Sequence, residues 1–249
     1  MDDAWGQQAY RVRCEWGPGG GAAIARGADV AVVVDVLSFT TTVSVALDLG
    51  VAVLPYRWRD ATAAAFAADH DATLAVGRSE AGEDGISLSP RTLRRAAATG
   101  RLPERLVLPS PNGATVAHAL AGTGVTVVAA SLRNAGAVGR RLRATGPDVV
   151  VAVVAAGERW PDGSLRPAVE DLWGAGAVLT ALGGAGSSPE AEAAVAAHRV
   201  VEGWTSDALT ASASGLELAA GGYADDVRVA GEVDASEVVP VLRAGTFRT

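Results

Sequence analysis

Two uninterrupted apolar runs, Val30-Ala31-Val32-Val33-Val34 and Val149 to Val154, place the tightest constraint on this chain. A strand with one face in water alternates apolar and polar residues. These two do not, so both faces of each must be covered. Such strands belong in a largely parallel sheet with helices on both sides. Related runs follow at Val51 to Leu54, Thr73 to Val76, Leu106 to Leu108 and Val125 to Ala130. Between them lie segments of helical length, many rich in alanine: Thr40 to Leu49, Ala61 to Ala68, Pro90 to Ala98, Thr115 to Ala121, Ala135 to Arg143 and Val169 to Leu182. The expected fold class is α/β, three layers (α/β/α) around a largely parallel sheet.

Past Gly183 the pattern changes. Gly183 to Pro189 reads as a flexible connector, followed by helices at Pro189 to Glu202 and Asp207 to Ala220, then a short apolar stretch, Val227 to Val229, and a tail. No linker is long enough to force a boundary. The reading is one unit over 1–249, with an α/β core over about 28–183 and a C-terminal helical portion over about 189–249.

Several functions are excluded by composition. The net charge is −7, against a nucleic-acid footprint. The single cysteine, Cys14, rules out an intramolecular disulfide and a cysteine zinc site. All basic residues are arginine, which removes a Schiff-base lysine and a Walker-type phosphate loop. The N-terminus has no signal-peptide pattern, and no apolar run approaches the ~18 residues of a membrane span. A cytoplasmic protein is expected. A homodimer is plausible for an apolar chain of this size, though no particular residue argues for it.

In open α/β sheets ligands bind beyond the carboxyl ends of the strands. Those positions here hold Asp35 with Ser38, Thr40, Thr41 and Thr42; Ser110, Asn112 and Gly113; Ser131, Arg133 and Asn134; and Glu158 with Arg159, followed after a loop by Glu170 and Asp171. Each has an ordinary structural reading as a helix cap, a turn residue or a partner of a helix dipole. Together these carboxylates, hydroxyls and amides suit a hard cation and an oxyanion. The glycines from Gly17 to Gly21 precede the first strong strand and read as a turn. His70, His118 and His198 lack metal-ligand spacing.

The order of these segments resembles the 2-phosphosulfolactate phosphatase family. Asp35-Val36-Leu37 before a Thr-rich helix start, Ser110-Pro111-Asn112-Gly113-Ala114, Asn134-Ala135-Gly136-Ala137-Val138, and Ala156-Gly157 with Glu170-Asp171 and Gly174-Ala175-Gly176 each have a counterpart there. Near the end, Ser214-Gly215, Leu218, Gly222, Asp234 and Val239-Pro240-Val241 also fit. The resemblance implies an Mg²⁺-dependent phosphatase that converts 2-phosphosulfolactate to sulfolactate and phosphate. It puts Asp35, Asn112, Asn134, Glu170 and Asp171 in catalysis, with Asp35, Glu170 and Asp171 as metal ligands. Ser38, Thr40, Thr41, Gly113, Arg133 and Arg159 would bind a small anionic phosphorylated substrate.

The chain also departs from that family. Ser38 stands where the family has arginine, Arg78-Ser79-Glu80 alters a Gly-Glu-Arg-Gly segment, and the loop from Gly157 to Pro167 is longer. Arg78, Arg133 and Arg159 are candidates to replace the missing guanidinium. A phosphatase for another small organic phosphate and a non-catalytic anion-binding relative are the alternatives.

Overall fold

Residues 4–58, 60–183 and 186–249 are described by a computed structural model, and structural statements below concern those residues. The apolar runs form β2 (Val30–Val34) and β7 (Val151–Ala155), which pair in parallel with each other. Their alternation sorts residues between two cores. Ala31, Val33, Ala152 and Val154 face one core with β6 (Thr126–Ala130) residues Val127 and Ala129. Val32, Val34, Val151 and Val153 face the other with Val128 and Ala130. Helices cover each side: α1 (Gly17–Ile24), α2 (Phe39–Asp48), α4 (Pro90–Ala98) and α5 (Gly113–Ala121) on the first. On the second lie α6 (Ala135–Arg143), α7 (Val169–Leu182) and α8 (Pro189–Val201). The α/β class and the helix-flanked, mostly parallel sheet are as expected. A smaller cluster packs α3 (Ala61–Asp69) on β3 (Ala52–Tyr56) and β5 (Arg105–Pro109) through Phe66, Ala67, Leu54 and Val107.

With β1 (Val12–Trp16), β4 (Thr73–Leu74), β10 (Val241–Arg243) and β11 (Thr246–Arg248), the sheet order is β1-β7-β2-β6-β10-β11-β3-β5-β4. β1, β7, β2 and β6 form one parallel block, and β3, β5 and β4 another. The C-terminal hairpin β10–β11 joins them with antiparallel pairings on both sides. Three antiparallel steps reverse the sense of the second block, so the strand ends do not share one flat edge. Sheet twist of roughly 20–25° per strand, over the five steps from β2 to β5, brings formally opposed strands to within a right angle of each other. This turning allows the β5 end to meet the β2 end.

Several local expectations are corrected. The Gly17 segment is the start of α1, not a turn, and it does follow a strand. β1 was hidden because Arg13 and Glu15 break its apolar pattern. Arg13 is nevertheless buried, donating to the carbonyls of Tyr10, Ile24 and Arg26. The segment from Asp207 to Ala220 is two helices, α9 (Thr205–Ala211) and α10 (Ala213–Ala220), divided where Ser212 Oγ accepts from Gly215 N at 3.0 Å. Val227 to Val229 lies inside α11 (Ala224–Ala230), and the tail carries β10 and β11. Of the connector after Gly183, residues 184–185 lie outside the described residues. Ser187 bridges to Val12, and Ser188 caps α8. No helix among the described residues is long and apolar enough to cross a membrane.

Candidate active site

Asp35 follows the last residue of β2, where the chain leaves an interior with no water to solvate a charge. Its carboxylate is held instead by backbone: Oδ1 accepts from Phe39 N at 3.0 Å and Oδ2 from Gly113 N at 2.8 Å. Thr40 closes the same turn, its Oγ1 donating to Asp35 O at 2.7 Å. The start of α2 and the start of α5 therefore clamp one side chain. Gly113 is required at this approach. A Cβ there would lie 2.4 Å from Phe39 Cδ1 and 2.6 Å from Asp35 Oδ2.

Asp171, in the first turn of α7, repeats the device. Oδ1 accepts from Val36 N at 2.7 Å and Oδ2 from Gly157 N at 2.8 Å. Gly157 has φ +67°, a left-handed conformation that a side chain would strain. Asp171 thus ties the β7 end to the β2 end. Glu170 is buried beside it, and its negative charge is felt by Asp35, Glu158 and Asp171. Asn112, just before α5, donates from Nδ2 to Glu158 Oε2 at 2.8 Å.

Burial dominates the electrostatics. It raises Asp35 to about 6, the two amide hydrogen bonds opposing, with Glu170 adding to the rise and Arg78 opposing it. Glu158 is pushed to about 7 by burial and then by the charge of Asp35, against the Asn112 hydrogen bond. Asp171 is also raised, by burial and by the charges of Asp35 and Glu170. Acids crowded this way favour a proton or a cation among them. No group of three or more His, Cys, Asp or Glu among the described residues is arranged to hold a metal by itself. Mg²⁺ usually takes one or two protein carboxylates and completes its shell with water and substrate phosphate, so this donor chemistry fits it.

Asp35 and Glu158 open onto a cleft of about 370 Å³ lined also by Leu37, Ser38, Arg57, Arg78, Leu88, Ser110, Pro111, Asn112, Ser214, Glu217 and Leu218. Of the expected residues, Asp35, Ser38 and Asn112 line it. Gly113 and Asp171 do not line it but brace it, Gly113 through its amide on Asp35 and Asp171 through the amides of Val36 and Gly157, while Glu170 is buried outside the lining. Thr40 and Thr41 are buried, their hydroxyls donating to the carbonyls of Asp35 and Val36.

Asn134 is not brought into the cleft. Its Oδ1 accepts from Ser131 N at 2.8 Å and its Nδ2 donates to Val238 O at 3.0 Å, so its amide secures the chain leading into β10. Arg133 is likewise spent elsewhere, on Ser44, Asp48 and Glu232. Arg159 is exposed, donates to Gly163 O and borders a neighbouring hollow. Arg57 and Glu217 were not anticipated, nor was the hydrogen bond that pairs Asn112 with Glu158. Glu158 stands among the strand-end residues of the sequence, though residue type and spacing there assign it no role. α10 is distant in sequence from every strand end, and only the family resemblance at Ser214-Gly215 and Leu218 marked it.

An α/β fold that presents buried acids and arginines to a small cleft suits an enzyme acting on a small anionic substrate. The family model for 2-phosphosulpholactate phosphatase matches residues 23–245. A probable 2-phosphosulfolactate phosphatase from Thermus thermophilus is 34% identical over 219 residues, covering 86% of this chain and 88% of that protein. One of the same description from Deinococcus radiodurans is 35% identical over 223 residues, covering 87% and 89%. The chain belongs to the 2-phosphosulfolactate phosphatase family, whose members are phosphoric monoester hydrolases.

Proposed function

We propose that this protein is an Mg²⁺-dependent phosphatase that hydrolyses 2-phosphosulfolactate to sulfolactate and phosphate, with Asp35 at the phosphoryl end of the cleft. The observation that carries the reading is the clamping of both Asp35 oxygens by amides of two elements, at the floor of a cleft that also holds Glu158 and two arginines. A carboxylate fixed before substrate arrives needs no reorganisation during the reaction. Asp35 with Glu170 or Asp171 would hold Mg²⁺, which supplies neutralisation of phosphoryl charge and a more acidic bound water. Glu158, raised to about 7, is poised to give a proton to the departing alkoxide oxygen, and Asn112 orients it. Water supplies the oxygen of the phosphate released.

A second reading, a phosphatase for another small organic phosphate, is favoured by Ser38 and by the hairpin of β8 (Glu158–Arg159) and β9 (Leu165–Arg166) at the cleft edge. One experiment addresses both. Phosphate release is measured from 2-phosphosulfolactate and a panel of simple phosphomonoesters, with Mg²⁺ and with EDTA, for the native chain and Asp35→Asn. Mg²⁺-dependent release that is lost in the variant is expected, and the preferred substrate separates the readings. Substantial turnover by Asp35→Asn would remove Asp35 from the reaction.

A further inference from the structure

Asp226 belongs to α11, far in sequence from every strand end, yet its carboxylate is 1% exposed. A charge so buried needs partners. Oδ1 accepts from Ser89 Oγ at 2.5 Å, and Oδ2 accepts from Arg78 Nε at 3.2 Å. Arg78 is itself held from other directions. Its Nη2 donates to Ser38 Oγ at 2.7 Å, and its guanidinium lies over the Tyr223 ring at 5.5 Å from the centroid. Arg57, the other arginine lining the cleft, is exposed and stacks on the exposed ring of Trp58.

We propose that Asp226 is a positioning residue for substrate recognition: it fixes Arg78 so that the guanidinium binds the second acidic group of a phosphorylated hydroxy acid. The inference rests on the phosphatase reading and deepens it. A guanidinium offers five N–H donors in a planar fork. With Nε on Asp226 and Nη2 on Ser38, the Nη1 side remains for a ligand in the cleft. The cleft is also polar in the electrostatic sense. The carboxylate of Asp35 repels a spectator carboxylate or sulfonate, and Arg78 attracts it with charge-assisted hydrogen bonds. A phosphomonoester without a second acid cannot use this contact, so Arg78 and the helix that holds it discriminate between substrates.

The test is Asp226→Asn. The variant keeps the side-chain shape, and Ser89 stays bonded because a hydroxyl both donates and accepts. What it removes is the counter-charge that pins Arg78. Two readouts are taken: calorimetric binding of sulfolactate, and kinetics on 2-phosphosulfolactate with Mg²⁺. Loss of one well-placed charged contact corresponds to roughly a tenfold rise in Kd and in KM, with kcat changed by less than about threefold. In an Arg78→Ala background, Asp226→Asn adds no further rise, because the two act as one unit. Tyr223→Leu serves as a second variant in case Asp226→Asn does not fold, and gives a smaller rise in the same direction.

Unchanged Kd in folded Asp226→Asn or, failing that variant, in Tyr223→Leu would overturn the assignment. So would effects of Asp226→Asn and Arg78→Ala that simply add, or a fall in kcat with Kd unmoved. If the native chain releases no phosphate from any ester, the phosphatase reading fails, and the calorimetry still decides the role of Asp226. Weakened sulfolactate binding supports it, and no sulfolactate binding by the native chain overturns it.

Discussion

Glu158→Gln should make the stability of the metal-free protein less dependent on pH. Burial and the charge of Asp35 move Glu158 from 4.5 to about 7. Between those values the folded chain keeps a proton that the unfolded chain has released. Stability from Glu158 is therefore fully present below about 4.5 and is lost as the pH rises through about 7. At roughly 1.4 kcal/mol per pH unit the full interval amounts to about 3.5 kcal/mol. Allowing for the part of the side chain that reaches water, the expected effect is on the order of 2 kcal/mol. Glutamine cannot ionise, and its Oε1 can still accept from Asn112, so the variant isolates the charge. The assay is urea unfolding of both proteins at pH 5 and pH 8 in EDTA. The native chain should lose about 2 kcal/mol relative to the variant between the two pH values. A difference that stays constant within about 0.5 kcal/mol would refute the argument that this carboxyl is held protonated by its surroundings.

Other perturbations test the scaffold and the chemistry. Glu158→Gln should also lower kcat by about 10²- to 10⁴-fold if Glu158 protonates the leaving group, and a normal kcat with Mg²⁺ would exclude that role. Gly113→Ala drives a Cβ into Phe39 and Asp35. It should cost about 1–3 kcal/mol by urea titration and strongly reduce turnover, and a variant of native stability and activity would show that the approach is not tight. Phe247, fully buried in β11, packs edge-on against Phe39 with centroids 6.3 Å apart. Phe247→Ala should destabilise by about 3–5 kcal/mol, and a loss below about 1 kcal/mol would mean the hairpin does not help hold the two blocks together.

Much of the α/β core was legible because burial on two faces leaves a mark that needs no knowledge of partners. The runs at Val30 and Val149 could only be inner strands, and Pro90–Ala98, Ala135–Arg143 and Val169–Leu182 are helices with the boundaries their sequences indicate. Asp35, Ser38 and Asn112 were found at the cleft by the strand-end rule, since a polar residue ending an apolar strand is a local feature. The same rule also selected Asn134 and Arg133. Their side chains are polar for another reason, the anchoring of the chain around β10 and of the Glu232 segment. Sequence cannot separate those two uses of a buried polar group, because each is defined by a partner about a hundred residues away.

What the sequence by itself determined is the class of fold, the inner strands and the ordered set of segments that marks the family. Tertiary structure alone decided the rest. A tail of ordinary appearance became the hairpin joining two parallel blocks, because a strand's place in a sheet depends on which edges are open when it arrives. The cleft received α10 and, through Arg78, Asp226 of α11, because the C-terminal helices fold back over the strand ends. Those contacts are long-range pairings of single side chains. Only the folded backbone brings them together.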